Sequence, residues 1–140
     1  MALYTPQILA LATELARYPL ADDLPLRASA RSRTCGSVIA IGLACDAGGQ
    51  VAQVGMQVSA CAIGQASAAI MAGGLPGRSG PEVSQVHARL FRWLENGGDL
   101  PEWPQIELLA AALPHKGRHG ALLLPWNAAV EALCSRAASG

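Results

Sequence analysis

Ser37-Val38-Ile39-Ala40-Ile41-Gly42-Leu43-Ala44-Cys45 is followed by Asp46-Ala47-Gly48-Gly49-Gln50 and then by Val51-Ala52-Gln53-Val54-Gly55-Met56-Gln57-Val58-Ser59. Two stretches of alternating period flank a turn rich in Asp and Gly, the pattern of an antiparallel β-hairpin. Ser37, Ile39, Ile41, Leu43 and Cys45 share one face of the outgoing strand, and Val54, Met56 and Val58 are the inward set of the returning one. Two cysteines stand just outside the hairpin's open end: Cys35 in Thr34-Cys35-Gly36-Ser37 and Cys61 in Ala60-Cys61-Ala62-Ile63. Antiparallel pairing returns the end of the second strand to the start of the first, so the two thiols are expected to lie close together.

Upstream, Arg27, Ser29, Arg31 and Arg33 alternate with Leu26, Ala28, Ala30 and Ser32, which predicts a further strand with a basic face and completes a meander. Before it, Thr5-Pro6 forms an N-cap and first-turn pair, with Ile8, Leu11, Ala12 and Leu15 at helical spacing up to Tyr18-Pro19. Downstream, Cys61 opens a helix in which Ala62, Ile63, Ala66, Ala69 and Ile70 recur until Gly73-Gly74-Leu75-Pro76-Gly77. Ser79 and Pro81 start another, with Val83, Val86, Leu90, Trp93 and Leu94 as its buried stripe and Asn96-Gly97-Gly98 as its stop. A loop around Pro101 and Pro104 leads to a short helix carrying Ile106, Leu108, Leu109 and Leu113. The last helix runs from about Gly120 to Ala137, with Leu122, Leu123, Trp126, Val130 and Leu133 inward and Pro125 either bending it or marking its start. The expected fold class is α+β: a three-stranded antiparallel meander packed on one face by helices, forming one domain over residues 1–140.

Aromatic residues are only 4% of a chain that is 51% hydrophobic, so the interior must be built from Ala, Leu, Val and Ile. Ten basic and ten acidic side chains cancel without forming blocks of one sign, which points away from nucleic acid and from an anionic membrane surface. No apolar run is long enough to span a bilayer, and Met1-Ala2-Leu3-Tyr4-Thr5 lacks a secretory n-region, so cytoplasmic localisation is the expectation. Paired thiols in a reducing compartment bind metal or carry sulfur more often than they form a structural disulfide. Gly73-Gly74 and Gly97-Gly98 lack the spacing and lysine of a phosphate loop, and Ser67, Ser84 and Ser135 lack a nucleophile-elbow pattern, so neither a nucleotide site nor a hydrolase is indicated.

A thiolate is favoured at Cys61 by the helix dipole and free amides of a helix start. Zinc and iron–sulfur units need such thiolates at fixed separation and further Cys, His or carboxylate ligands. His119, in Pro114-His115-Lys116-Gly117-Arg118-His119-Gly120, is the candidate third ligand, with His115 four residues earlier. Cys45 and Cys134, beside apolar neighbours, are read as packing residues. His87, next to the Val83 and Leu90 stripe, is read as a boundary histidine with its own partner.

Arg33-Thr34-Cys35-Gly36-Ser37, Ala60-Cys61-Ala62-Ile63-Gly64-Gln65-Ala66-Ser67 and His119 before the last helix resemble the NifU N-terminal and IscU-like iron–sulfur cluster assembly scaffolds over nearly the whole chain. The resemblance implies a non-enzymatic scaffold that transiently binds zinc, iron or a nascent iron–sulfur cluster through Cys35, Cys61 and His119. It also implies sulfur supplied by a cysteine desulfurase and apoproteins as cluster acceptors. Two departures set this chain apart: Ser37 stands where the family usually has Asp, and Gly120 where its third cysteine follows the histidine. The SufE-like sulfur acceptors share the fold and need one exposed thiol to receive persulfide, which makes a sulfur carrier the alternative. A metal-free interaction protein that keeps the fold is a further one. Arg27, Arg31 and Arg33 would either dock an acidic desulfurase surface or shield an exposed edge strand.

Overall fold

A computed structural model describes residues 5–33 and 36–139, with side chains through residue 134. Helix α1 (Pro6–Thr13) begins as its sequence requires, the Thr5 side chain accepting a hydrogen bond from the Ile8 N–H at 3.2 Å. It runs on as a 3-10 turn over Glu14–Arg17. Strands β1 (Leu26–Arg31), β2 (Val38–Cys45) and β3 (Val51–Ser59) then form the expected antiparallel meander in the order β1-β2-β3. Ile39 lies opposite Val58, Ile41 opposite Met56 and Leu43 opposite Val54, so the apolar sets of β2 and β3 share one face. A bulge between Ala44 and Cys45 shifts the register at the turn, bringing Val51 into the core beside them.

Helices cover that face. Helix α2 (Ala62–Gly74) packs against α1 and β3, while α4 (His119–Ser139) lies over β1 and β2 and against α2. Helix α3 (Gly80–Asn96) packs on α4 from outside. Its limits follow from local chemistry. Ser79 and Glu82 form a reciprocal capping box, and Gly97, at φ 70°, closes the other end by donating its N–H to the Trp93 carbonyl at 2.7 Å. Its buried residues are Val83, Val86, Leu90, Trp93 and Leu94, the stripe read from the sequence.

Several expectations are refined. Helix α2 buries Gly64, Ser67, Ala68, Met71 and Ala72 as well as the single stripe read from its spacing, because it runs through the middle of the helical layer. The short helix expected after Pro104 is present as a 3-10 helix over Ile106–Ala112, with Ile106, Leu109 and Ala112 inward. Pro125 lies inside α4, whose first residue is His119.

The opposite face of the sheet is crossed by a strap that the sequence reading left without structure. Tyr18 accepts a hydrogen bond at its carbonyl from the Met56 N–H on the β3 edge, at 2.8 Å. The chain then passes over Gly55 and Gly42, which are paired across β2 and β3, to Leu24, 4% exposed. A methyl group at Gly55 would lie 2.6 Å from a Leu24 methyl and overlap the Pro19 carbonyl, and one at Gly42 would lie 2.9 Å from Leu24 Cβ. The two glycines therefore make the seat that lets a backbone approach the sheet. Arg27 ties the strap down, its guanidinium donating to the carbonyls of Leu24, at 3.1 Å, and Ala21.

Candidate functional site

The start of α2 and the start of α4 lie at one end of the molecule. Gly64, in the first turn of α2, is so close to α4 that an added methyl would stand 3.4 Å from Ala121 Cβ. One turn further along α2, the Ser67 hydroxyl donates to the Leu122 carbonyl at 2.6 Å and accepts from the Trp126 indole N–H at 2.9 Å. Contacts thus advance together along both helices, which run side by side in the same direction. Cys61 is the N-cap of α2 and His119 the first residue of α4. Both occupy the leading end of this helix pair, near the end of the sheet where Val38 pairs with Ser59.

Cys61 is half-buried against the core, in extended backbone, and its side chain makes no capping hydrogen bond. His119 is also half-buried. Its Nε2 lies 2.8 Å from the Leu113 carbonyl oxygen. A carbonyl only accepts, so Nε2 carries the proton and Nδ1 of the neutral ring has the lone pair a metal ion needs. A hydrogen bond from the second ring nitrogen to a backbone carbonyl is the usual support of a ligating histidine.

Cys35 lies outside the described residues. Its neighbours Gly36 and Ser37 lead into β2; Gly36 is exposed, and Ser37, where the resembling family carries Asp, is 3% exposed. Ser32 donates its N–H to the Ser37 carbonyl at 2.8 Å, closing the connection between β1 and β2 at the same end as Cys61. Gly120 is exposed in the first turn of α4. Among the described residues no three His, Cys, Asp or Glu side chains stand together in a way that could hold a metal ion, and Cys35 is not one of that set.

The remaining candidates separate clearly. Cys45 packs against the core at the far end of β2, as read. Cys134 does not: it is exposed, beside Gly80, Pro81 and Ser84, because it follows Leu133 by one residue and so points about 100° away from the buried face of α4. His87 meets Asn127 Oδ1 at 2.6 Å, a satisfied boundary histidine. His115 is exposed. Arg31 and Arg33 are exposed at the Cys61 end of the sheet, whereas Arg27 sits further along β1 with its guanidinium on the strap.

Sequence reasoning missed Ser67 and Trp103 as organisers of the site's support. Ser67 is fully buried, and its hydroxyl joins the two helices that carry Cys61 and His119. The available signal was a hydroxyl within a run of Ala and Ile, together with a tryptophan whose N–H must find an acceptor when buried. Trp103 comes from the proline-flanked loop to donate its indole N–H to the Ile70 carbonyl at 2.9 Å. Its ring meets that of Trp126 edge-on with centroids 4.9 Å apart, and the Arg78 guanidinium lies over the Trp103 ring, 4.5 Å from its centroid.

No protein-family model and no curated protein matches this sequence. Solved structures do match. A nitrogen-fixing NifU-like protein (N-terminal) from Brucella abortus has a TM-score of 0.89 at 27% identity, covering 99% of this chain and 96% of that one. A candidate iron–sulfur cluster assembly scaffold protein for the SUF system, from the thermophile Fervidobacterium islandicum AW-1, has a TM-score of 0.77 at 18% identity, covering 90% of this chain and 93% of that one. From the meander, the helix starts beside it and these likenesses, it follows that the chain has the NifU N-terminal, IscU-like fold and that iron–sulfur cluster assembly scaffolds are among its structural neighbours.

Proposed function

We propose that this protein is a cluster-assembly scaffold of one domain that transiently holds a metal ion or nascent iron–sulfur cluster as cargo, through Cys35, Cys61 and His119. The observation that carries this reading is the common position of Cys61 and His119 at the leading ends of two packed helices, with Nε2 of His119 spent on the Leu113 carbonyl and Nδ1 left for a ligand bond. The NifU-like neighbour supports it at the level of the whole chain. In this reading the scaffold turns over no substrate. It takes sulfur from a cysteine desulfurase, docked in part through Arg31 and Arg33, and passes its cargo to apoproteins in the cytoplasm.

A second reading is favoured by Gly120, which offers no ligand where the resembling family has its third cysteine. A sulfur carrier needs one nucleophilic thiolate, which attacks the outer sulfur of a desulfurase persulfide, forms a new S–S bond and releases the desulfurase thiolate. Metal analysis of anaerobically purified protein separates the two. Metal present in the wild type and lost in both Cys35→Ala and Cys61→Ala supports the scaffold. Persulfide on one cysteine, with no metal bound under any condition, supports the carrier. Neither metal nor persulfide, with both variants behaving as wild type, would leave a metal-free interaction protein.

A further inference from the structure

Strand β1 is an outer strand of the sheet, and the hydrogen-bond phase of the sheet fixes which of its groups face outward. The Met56 N–H points away from β2, since it donates to Tyr18. Ile41, opposite Met56, must then direct its own N–H and C=O toward β1, where its partner is Ala28. The Ser32 N–H, donated to the Ser37 carbonyl, continues the same alternation. It follows that Leu26, Ala28 and Ala30 bond to β2, while Arg27, Ser29 and Arg31 send N–H and C=O away from the sheet. Among the described residues no main-chain group pairs with these outward donors and acceptors.

The two outer edges of the sheet differ in this respect. That of β3 is occupied at Met56 by Tyr18, and at Val51 by Arg78 and Gly77. Among the described residues nothing pairs with the outer edge of β1, and the exposed side chains beside it are Arg27, Ser29 and Arg31. Among the described residues no carboxylate pairs with either arginine.

We infer that β1 is a docking edge for an extended segment of a partner protein that carries acidic side chains at alternate positions. Such a segment adds a fourth strand, taking up the main-chain groups of Arg27, Ser29 and Arg31. Its carboxylates fall on the face that presents Arg31, while Arg27 on the same face keeps its guanidinium on the strap and adds only its positive charge; opposite charges on neighbouring strands attract. A second copy of this chain is disfavoured in the register centred on Ser29. Antiparallel pairing of two β1 strands about Ser29 would set Arg27 of each opposite Arg31 of the other, and like charges directly opposite are destabilising. The inference deepens the proposed use of the arginine face as a docking surface and is independent of the cargo site.

The test uses the intact protein without metal and a blocked peptide of about seven residues alternating Glu with Val, matched to the strand length. Calorimetry at low salt should show binding that weakens as salt is raised, with no binding of the Lys counterpart. Ser29→Pro removes an outward N–H and leaves the β1–β2 ladder bonded, so it should weaken the peptide about tenfold or more without a loss of helix or sheet signal. Arg31→Glu should reverse the preference from the Glu to the Lys peptide. That swap decides the matter even if the proline variant fails to fold. No binding of the Glu peptide, equal binding by Ser29→Pro when folded, an unchanged preference in Arg31→Glu, or a dimer in sedimentation that Ser29→Pro abolishes would each overturn the inference. Metal binding is read in none of these arms, so their failure leaves the scaffold reading standing.

Discussion

Ser67 on α2 and Trp126 on α4 are joined by a hydrogen bond of 2.9 Å inside a fully buried contact, and the same hydroxyl donates onward to the Leu122 carbonyl. Removing the hydroxyl strands an indole N–H where water cannot reach it. Ser67→Ala is therefore expected to cost about 1–3 kcal/mol, read from urea unfolding followed at far-UV wavelengths. Because the bond couples the helices that begin at Cys61 and His119, the variant should also bind metal more weakly while keeping every candidate ligand. An unfolding midpoint equal to that of the wild type would show that the bond does not contribute.

Glycine at position 55 is required by the strap, and alanine there is expected to destabilise by about 1–3 kcal/mol through overpacking against Leu24 and Pro19. Gly98→Ala is the matched control. No atom lies near its added methyl, and its effect should stay within about 0.5 kcal/mol. Equal melting temperatures for the two variants would contradict the strap as described.

Thiol labelling in the folded state should rank the described cysteines by access. Cys134 is exposed and should react first with a maleimide, while Cys45 and Cys61, both half-buried against the core, should lag behind it. Cys134→Ala is expected to remove the fast phase and leave metal content untouched, as measured by mass spectrometry of labelled peptides and by elemental analysis. Loss of metal in Cys134→Ala would move the site to the other end of α4.

The ring of His119 should be held as the Nε2–H tautomer in the metal-free protein, because the Leu113 carbonyl at 2.8 Å accepts only from a protonated nitrogen. Long-range proton–nitrogen correlation spectra check this directly. Addition of zinc should then shift Nδ1 and leave the Nε2–H signal present. Zinc-induced loss of the Nε2 proton would reverse the assignment of ligand and support.

Much of this architecture was legible in the sequence for identifiable reasons. The stripe of α3 could be read because polar residues occupy its outer face and Ser79, Glu82 and Gly97 mark both ends. The meander could be read because each strand alternates and Asp46 anchors the turn, its carboxylate accepting from the Gly48 and Gln50 N–H groups. Helix α2 gave only part of its answer. Periodicity reports one buried face, and a helix covered on most sides has no polar face to contrast with it. The strap was not legible as a pattern, since six irregular residues have no period; its trace in the sequence was the pair Gly42 and Gly55, meaningful only once the strands were set in register. Cys134 was misread because an apolar neighbour in sequence is not a neighbour on the same side of a helix. For the site, the helix starts at Cys61 and close to His119 could be read from the chain, whereas the carbonyl holding His119 belongs to Leu113, whose main chain carries no letter of its own.

The strap's seat exists only where Gly42 and Gly55 are already side by side, and the strap runs almost directly into β1. The crossing segment and β1 therefore keep their places only on a hairpin that holds this register. Release of the strap is expected to free β1 with it, so amide hydrogens of β1 should exchange together with that of Met56, ahead of those shared by the hairpin.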